Sequence, residues 1–179
     1  VNLPNKLSIA RTLCIPVIVI LLYFPDPTYR IIAGIVFIIG CLTDFLDGQI
    51  ARKRNLVTDF GKFIDPVADK LLVLTTLIML VHLQLMDAWI VIIILCRELS
   101  VDGLRMVAVT KGKVIAASPL GKWKTTSQMI LISVMLIFNL SVYQFWPVTV
   151  LAIIAVLLTL ISAVDYFYRN ASVLSESSC

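Results

Sequence analysis

Six apolar runs alternate along the chain with short polar joints, and each run is about long enough to cross a bilayer as a helix. The runs cover about 7–24, 28–52, 60–82, 87–110, 118–139 and 146–168. This pattern predicts an all-α polytopic membrane protein with six transmembrane helices. Ahead of the first run, residues 2–11 read as a short N-terminal interfacial segment. There Leu3, Leu7 and Ala10 face lipid while Asn5, Lys6 and Arg11 face water or the protein interior. Pro25-Asp26-Pro27 reverses the chain, and Thr58 or Asp59 is placed to cap the third helix. Pro66 falls inside that helix and is expected to kink it. Ser118-Pro119 is a cap followed by a first-turn proline, the start signal of the fifth helix. Asp165-Tyr166-Phe167-Tyr168-Arg169 has the aromatic and basic character of a membrane interface. Residues 1–169 then form a single membrane domain, and 170–179 a polar tail.

Composition agrees with this reading. Hydrophobic residues make up 60% of the chain, well above the roughly 45–50% of soluble domains. The first run ends in Phe24-Pro25-Asp26-Pro27, unlike the small-residue cleavage site of a secretory peptide. The net charge of +4 is accounted for by loops and implies no nucleic acid partner. Lys6, Arg11, the 52–62 joint, the 111–124 joint and Arg169 fall on one side of a six-helix arrangement, and the opposite turns hold only Arg30. The positive-inside rule therefore places both termini in the cytoplasm of a cell-membrane protein. Cys14, Cys41 and Cys96 lie in apolar runs without metal-site or redox spacing and read as small hydrophobes. His82, the only histidine, reads as an interfacial side chain.

Against this background one polar stretch stands out. Asp44, Asp47, Gly48 and Ala51 share one narrow helical face with Arg52 at its edge, and Gly61, Asp65 and Asp69 form a second stripe on the next helix. Intramembrane acids are expensive. At 1.5 Å per residue Asp44 lies roughly 12 Å deeper than Arg52, which makes a recessed site near the cytoplasmic face. Four facing carboxylates repel one another unless cations intervene. With oxygen donors only, the fitting ions are Mg²⁺ or Mn²⁺, and two of them make the clamp used in phosphoryl chemistry. Gly48 and Gly61 cost helix stability of about 1 kcal/mol each relative to Ala. They are explained if a ligand must approach the backbone, and Arg52 offers a phosphate a fork of donors. The bland alternative is that each acid pairs with a nearby base and fixes helix register. It weakens for the set, because the acids exceed what Arg52 neutralises.

The order Asp44-x2-Asp47-Gly48-x2-Ala51-Arg52-x8-Gly61-x3-Asp65-x3-Asp69 resembles the full signature of the CDP-alcohol phosphotransferase family. The resemblance implies a six-helix membrane enzyme, usually a homodimer, that uses two divalent cations to split a CDP-linked lipid or alcohol. It implies that Asp44, Asp47, Asp65 and Asp69 hold the metals and that Asp69 doubles as general base. Gly48, Ala51 and Arg52, with Asn5 and Gly61, would bind the CDP-lipid. Outside the signature, Asn2-Leu3-Pro4-Asn5, Ser8, Arg11, Arg97-Glu98, Leu104-Arg105 and Gly121-Lys122-Trp123-Lys124-Thr125 resemble the bacterial phosphatidylglycerophosphate synthase branch. Ser8 stands where many relatives have Thr. That branch joins CDP-diacylglycerol to sn-glycerol 3-phosphate and releases CMP.

The residues themselves also suit an anionic acceptor. Glu98, Asp102 and Arg105 share a helical face with Arg97 at its edge. For Glu98 and Asp102 an internal ion-pair network is the preferred reading. Arg105, Lys122 and Lys124, gathered at the cytoplasmic mouth, and Arg97, deeper near the middle of the fourth run, are the candidate acceptor-phosphate ligands. Relatives with cardiolipin, inositol-phosphate or serine acceptors are the alternatives, and an ion-coupled transporter is the alternative from another class. Against the transporter, no acid stripe reaches the uncharged turns and no inverted repeat relates the halves.

Overall fold

A computed structural model describes residues 3–54, 59–112, 115 and 118–171, with the side chains of 3–8 and 44–66 outside the description. Six helices follow in order: α1 (Leu3–Tyr23), α2 (Pro27–Arg54), α3 (Asp59–His82), α4 (Ala88–Thr110), α5 (Pro119–Ile137) and α6 (Trp146–Arg169). Among the described residues there is no strand. The all-α expectation holds, and the predicted boundaries fall within a few residues of the observed ones. One correction concerns the N-terminus. The expected interfacial segment is not a separate element but the first turns of α1, which runs unbroken from Leu3. Pro4 lies in the first turn, where a missing N–H costs nothing, and no residue between it and Thr12 breaks a helix. Arg11 is accordingly fully buried.

The joints are made by short-range chemistry. Asp26 accepts from the Thr28 N–H at 2.7 Å and starts α2, with Pro27 as its first residue. These Thr28 bonds hold the Asp26 carboxyl below the usual carboxylate range. Past α3, Gln84 takes a positive φ of 56° and the Leu85 N–H reaches back to the Leu80 carbonyl at 3.0 Å. Past α5, Asn139 does the same at 52°, with the Leu140 N–H on the Met135 carbonyl at 3.0 Å. Both are six-to-one closures of a helix end. These ends are stitched together. The Val142 N–H donates to the Leu85 carbonyl at 3.0 Å, and the Tyr143 hydroxyl donates to Asp87 at 2.6 Å. Arg30 donates to Asn139 at 2.6 Å, and the Tyr23 and His82 rings lie 5.4 Å apart.

The core runs the length of the bundle through Ile18, Phe37, Leu72, Leu77, Ile94, Leu131 and Ala155, all at most 1% exposed. α1 packs on α2 and α3, α2 on α5, and α6 on α4 and α5. Gly34 lets α2 lie against α5, since a methyl group there would meet Leu136 Cβ and Ile137 Cδ1 at 3.0 Å. Between α5 and α6 the buried Gln128 donates to Thr159 at 3.1 Å, and Thr159 donates to the Ala155 carbonyl at 2.6 Å. Such small polar contacts join helices where little water is available. The outward faces carry Leu13, Ile20, Ile39, Ile92, Leu99, Leu157 and Val164, all exposed. Among the described residues α6 alone is long and apolar enough to cross a membrane; Ile9–Tyr23 and Pro27–Thr43 are shorter apolar stretches.

Candidate active site

Asp44 and Asp47 fall in the last three turns of α2, and Asp65 and Asp69 in the first three turns of α3. The two helices pack together and only residues 55–58 separate them in sequence, so both acid-bearing ends lie at one end of the bundle. The side chains of Asp44, Asp47, Asp65, Gly48, Ala51, Arg52, Gly61 and Asn5 lie outside the described residues. Asp69 is described, and it is half-buried on α3.

Next to Asp69 begins a network of charged side chains. Lys70 donates to Asp102 of α4 and lies 3.7 Å from Glu98 Oε2. Glu98 accepts from Arg97 at 3.1 Å and from Lys124 of α5. Three cations and two carboxylates thus tie α3, α4 and α5 at the end where the signature acids lie. The placement follows from helical spacing. Ile94, Glu98, Val101, Leu104 and Ala108 form the buried stripe of α4, so Glu98 occupies a core position. Arg97 extends toward the start of α5, where its Nη2 would lie 3.6 Å from a methyl group on Gly121. Ser118 caps α5 by accepting from the Gly121 N–H at 3.2 Å.

The candidate acceptor ligands therefore divide. Lys122 is exposed and Arg105 half-buried, but Lys124 is only 3% exposed and is a buried partner of Glu98. Arg97 is likewise an internal ion-pair partner, with its side chain 10% exposed. The expected Glu98–Asp102 network is present, and Lys124 and Arg97 belong to it. The reason is register. Lys124, Ser127, Gln128 and Leu131 share the inward face of α5, whereas Lys122 and Trp123 point out.

Two residues escaped the sequence reading. Lys70 directly follows a signature acid, and a lysine within an apolar run was the available signal. Tyr166 was grouped with interfacial aromatics, yet it is 2% exposed while Tyr168 is 84% exposed. Its hydroxyl accepts from Arg105 Nε at 2.9 Å. The signal was spacing: Thr159, Ser162 and Tyr166 continue the buried stripe of α6.

A helical bundle carrying that acid series on two packed helices, with basic side chains beside it, defines the class. The chain belongs to the CDP-alcohol phosphatidyltransferase family, whose model matches residues 1–164. Among individual proteins it is 44% identical to the CDP-diacylglycerol--glycerol-3-phosphate 3-phosphatidyltransferase of Bacillus subtilis (strain 168), with 99% of each chain covered. Proteins of the same name from Rickettsia bellii (strain RML369-C) and Haemophilus influenzae are 40% and 38% identical. The first match covers 93% of each chain, the second 92% of this chain and 91% of the relative. The family resemblance read from the signature is borne out.

Proposed function

We propose that the chain is a phosphatidyltransferase that joins CDP-diacylglycerol to sn-glycerol 3-phosphate, giving phosphatidylglycerophosphate and CMP. One observation carries the reading beyond the names of its relatives: the acid-bearing ends of α2 and α3 lie at the same end of the bundle as Lys70, Arg97, Arg105, Lys122 and Lys124. A site for a diphosphate and an anionic acceptor needs both kinds of charge side by side.

Asp44, Asp47, Asp65 and Asp69 offer oxygen donors alone, a set that fits two divalent cations, Mg²⁺ or Mn²⁺. When bound, such ions would offset the negative charge of the diphosphate and of departing CMP. Gly48, Ala51 and Gly61 are small enough for a nucleotide to approach the backbone, and Asn5 and Arg52 bind the CDP-lipid with them. Asp69 takes the proton from the 1-hydroxyl of glycerol 3-phosphate. The acceptor oxygen bonds to the phosphorus that carries diacylglycerol, the bond from that phosphorus to CMP breaks, and CMP departs with the electron pair. Arg105 and Lys122 hold the acceptor's phosphate, while Lys124 and Arg97 add positive potential from beneath.

In this reading all six helices span the cell membrane, their apolar outer faces lie against lipid, and both termini and the site face the cytoplasm. The functional unit is a homodimer. Purified protein supplied with CDP-diacylglycerol, glycerol 3-phosphate and Mg²⁺ or Mn²⁺ is expected to release CMP and form the anionic lipid, and chelation by EDTA is expected to stop it. Asp69→Asn should abolish turnover while the folded protein still binds CDP-diacylglycerol. Turnover at the wild-type rate in that variant would remove Asp69 as base, and label transfer to serine or inositol phosphate instead would remove the acceptor assignment.

A further inference from the structure

Arg105 is held in an unusual way for a cation at a protein mouth. Its Nε donates to the Tyr166 hydroxyl at 2.9 Å, and its guanidinium carbon lies 5.5 Å from the centre of the same ring. Tyr166 is itself immobilised. Its ring is buried in a small apolar cluster with Val101, Leu104 and Ala108 of α4, flanked by Ile115 and Phe167. One aromatic side chain of α6 therefore takes both the Nε–H and one face of an arginine on α4. Among the described residues no acceptor is bonded to either Nη group, so the edge of the fork that bonds a phosphate bidentately is left available.

We propose that Tyr166 is a positioning residue for acceptor binding, fixing the Arg105 guanidinium so that its two Nη groups present a prealigned edge to the phosphate of the acceptor. The inference rests on the reading of Arg105 as a phosphate ligand and extends it to α6, a helix that contributes none of the signature residues. A long side chain loses rotamer freedom when it binds a ligand, and prior fixation by Tyr166 removes that cost from the binding step. The hydroxyl touches neither substrate nor reacting atoms, so its effect belongs in the acceptor's Michaelis constant.

The test is steady-state kinetics on the purified full chain with each substrate varied in turn. Tyr166→Phe keeps the ring and its packing and removes only the acceptor oxygen. It should raise KM for glycerol 3-phosphate by up to about tenfold, the cost of immobilising one long side chain in the binding step. Its kcat should stay within about twofold of the parent, and KM for CDP-diacylglycerol should not move. Arg105→Lys keeps the charge but cannot serve Tyr166 and a bidentate phosphate together, so it should show the same pattern even if the tyrosine variant is poorly recovered. In an Arg105→Ala background, Tyr166→Phe should add nothing. A raised KM in Arg105→Ala with an unchanged KM in Tyr166→Phe overturns the inference and leaves the acceptor reading intact. An unchanged KM in Arg105→Ala overturns both. A fall in kcat with both KM values at their parent levels also overturns it, because that is the mark of a purely structural role.

Discussion

At the scale of single residues, Glu98 decides more than its neighbours. It is the shared partner of Arg97, Lys124 and Lys70, on three helices, and its side chain is 8% exposed. Removing one member of a buried ion pair strands the other, at a cost of about 3–5 kcal/mol. Glu98→Gln should therefore lower the thermal midpoint in detergent far more than Asp102→Asn, whose side chain is 37% exposed. Glu98→Gln combined with Lys124→Met should recover part of the loss, because it removes a stranded charge along with its partner. Equal midpoints for the two single variants would show that the cluster is hydrated and that Glu98 is no hub. The sequence already placed Glu98 and Asp102 in an ion-pair network. It could not separate Lys124 from Lys122, since both belong to one basic run and only the register of α5 turns one inward and the other out.

At the scale of elements, helix existence was easy to read and helix neighbours were not. Length and apolarity marked all six helices, and Ser118-Pro119 marked a start to the residue. The polar composition of residues 2–11 reads as a separate interfacial segment, but nothing in it stops a helix, so α1 runs through it and carries Arg11 into the interior, one of the two environments its pattern allows. Tyr166 was missed for a related reason. Its neighbours in sequence are interfacial, whereas its neighbours in space are the apolar residues of α4. Neighbours also give Gly34 its importance. A substituent there runs into Leu136 Cβ, which is tied to the backbone of α5 and cannot swing aside. Gly34→Leu should cost about 1–3 kcal/mol by overpacking, read as a lower thermal midpoint. Gly40→Ala would bring a methyl group 2.8 Å from Leu72 Cδ2, an end atom of a buried side chain that must shift, and should cost less than Gly34→Leu because no backbone-tied atom is met.

At the scale of the whole molecule the two ends of the bundle differ in kind. The signature was legible because its chemistry demands fixed residues at fixed spacing, so four acids and two glycines stood out in an oily chain. The end that holds no signature reads as short turns with few basic residues, and hydropathy has nothing to say about how those turns bond to one another. There, helix closures at Gln84 and Asn139, the Leu85–Val142 backbone bond and the Arg30, Asp87 and Tyr143 contacts lock three turns together. Backbone amides of Leu85, Leu140 and Val142 should exchange with deuterated solvent among the slowest in the protein, and slow exchange should persist when CDP-diacylglycerol is added. Rapid exchange at Val142 would show that the turns are not joined in solution. The mechanical consequence is that of a spring-hinged peg. With one end clamped, separation of the helices is opposed there, and relative helix movement is expected to be larger at the acidic end.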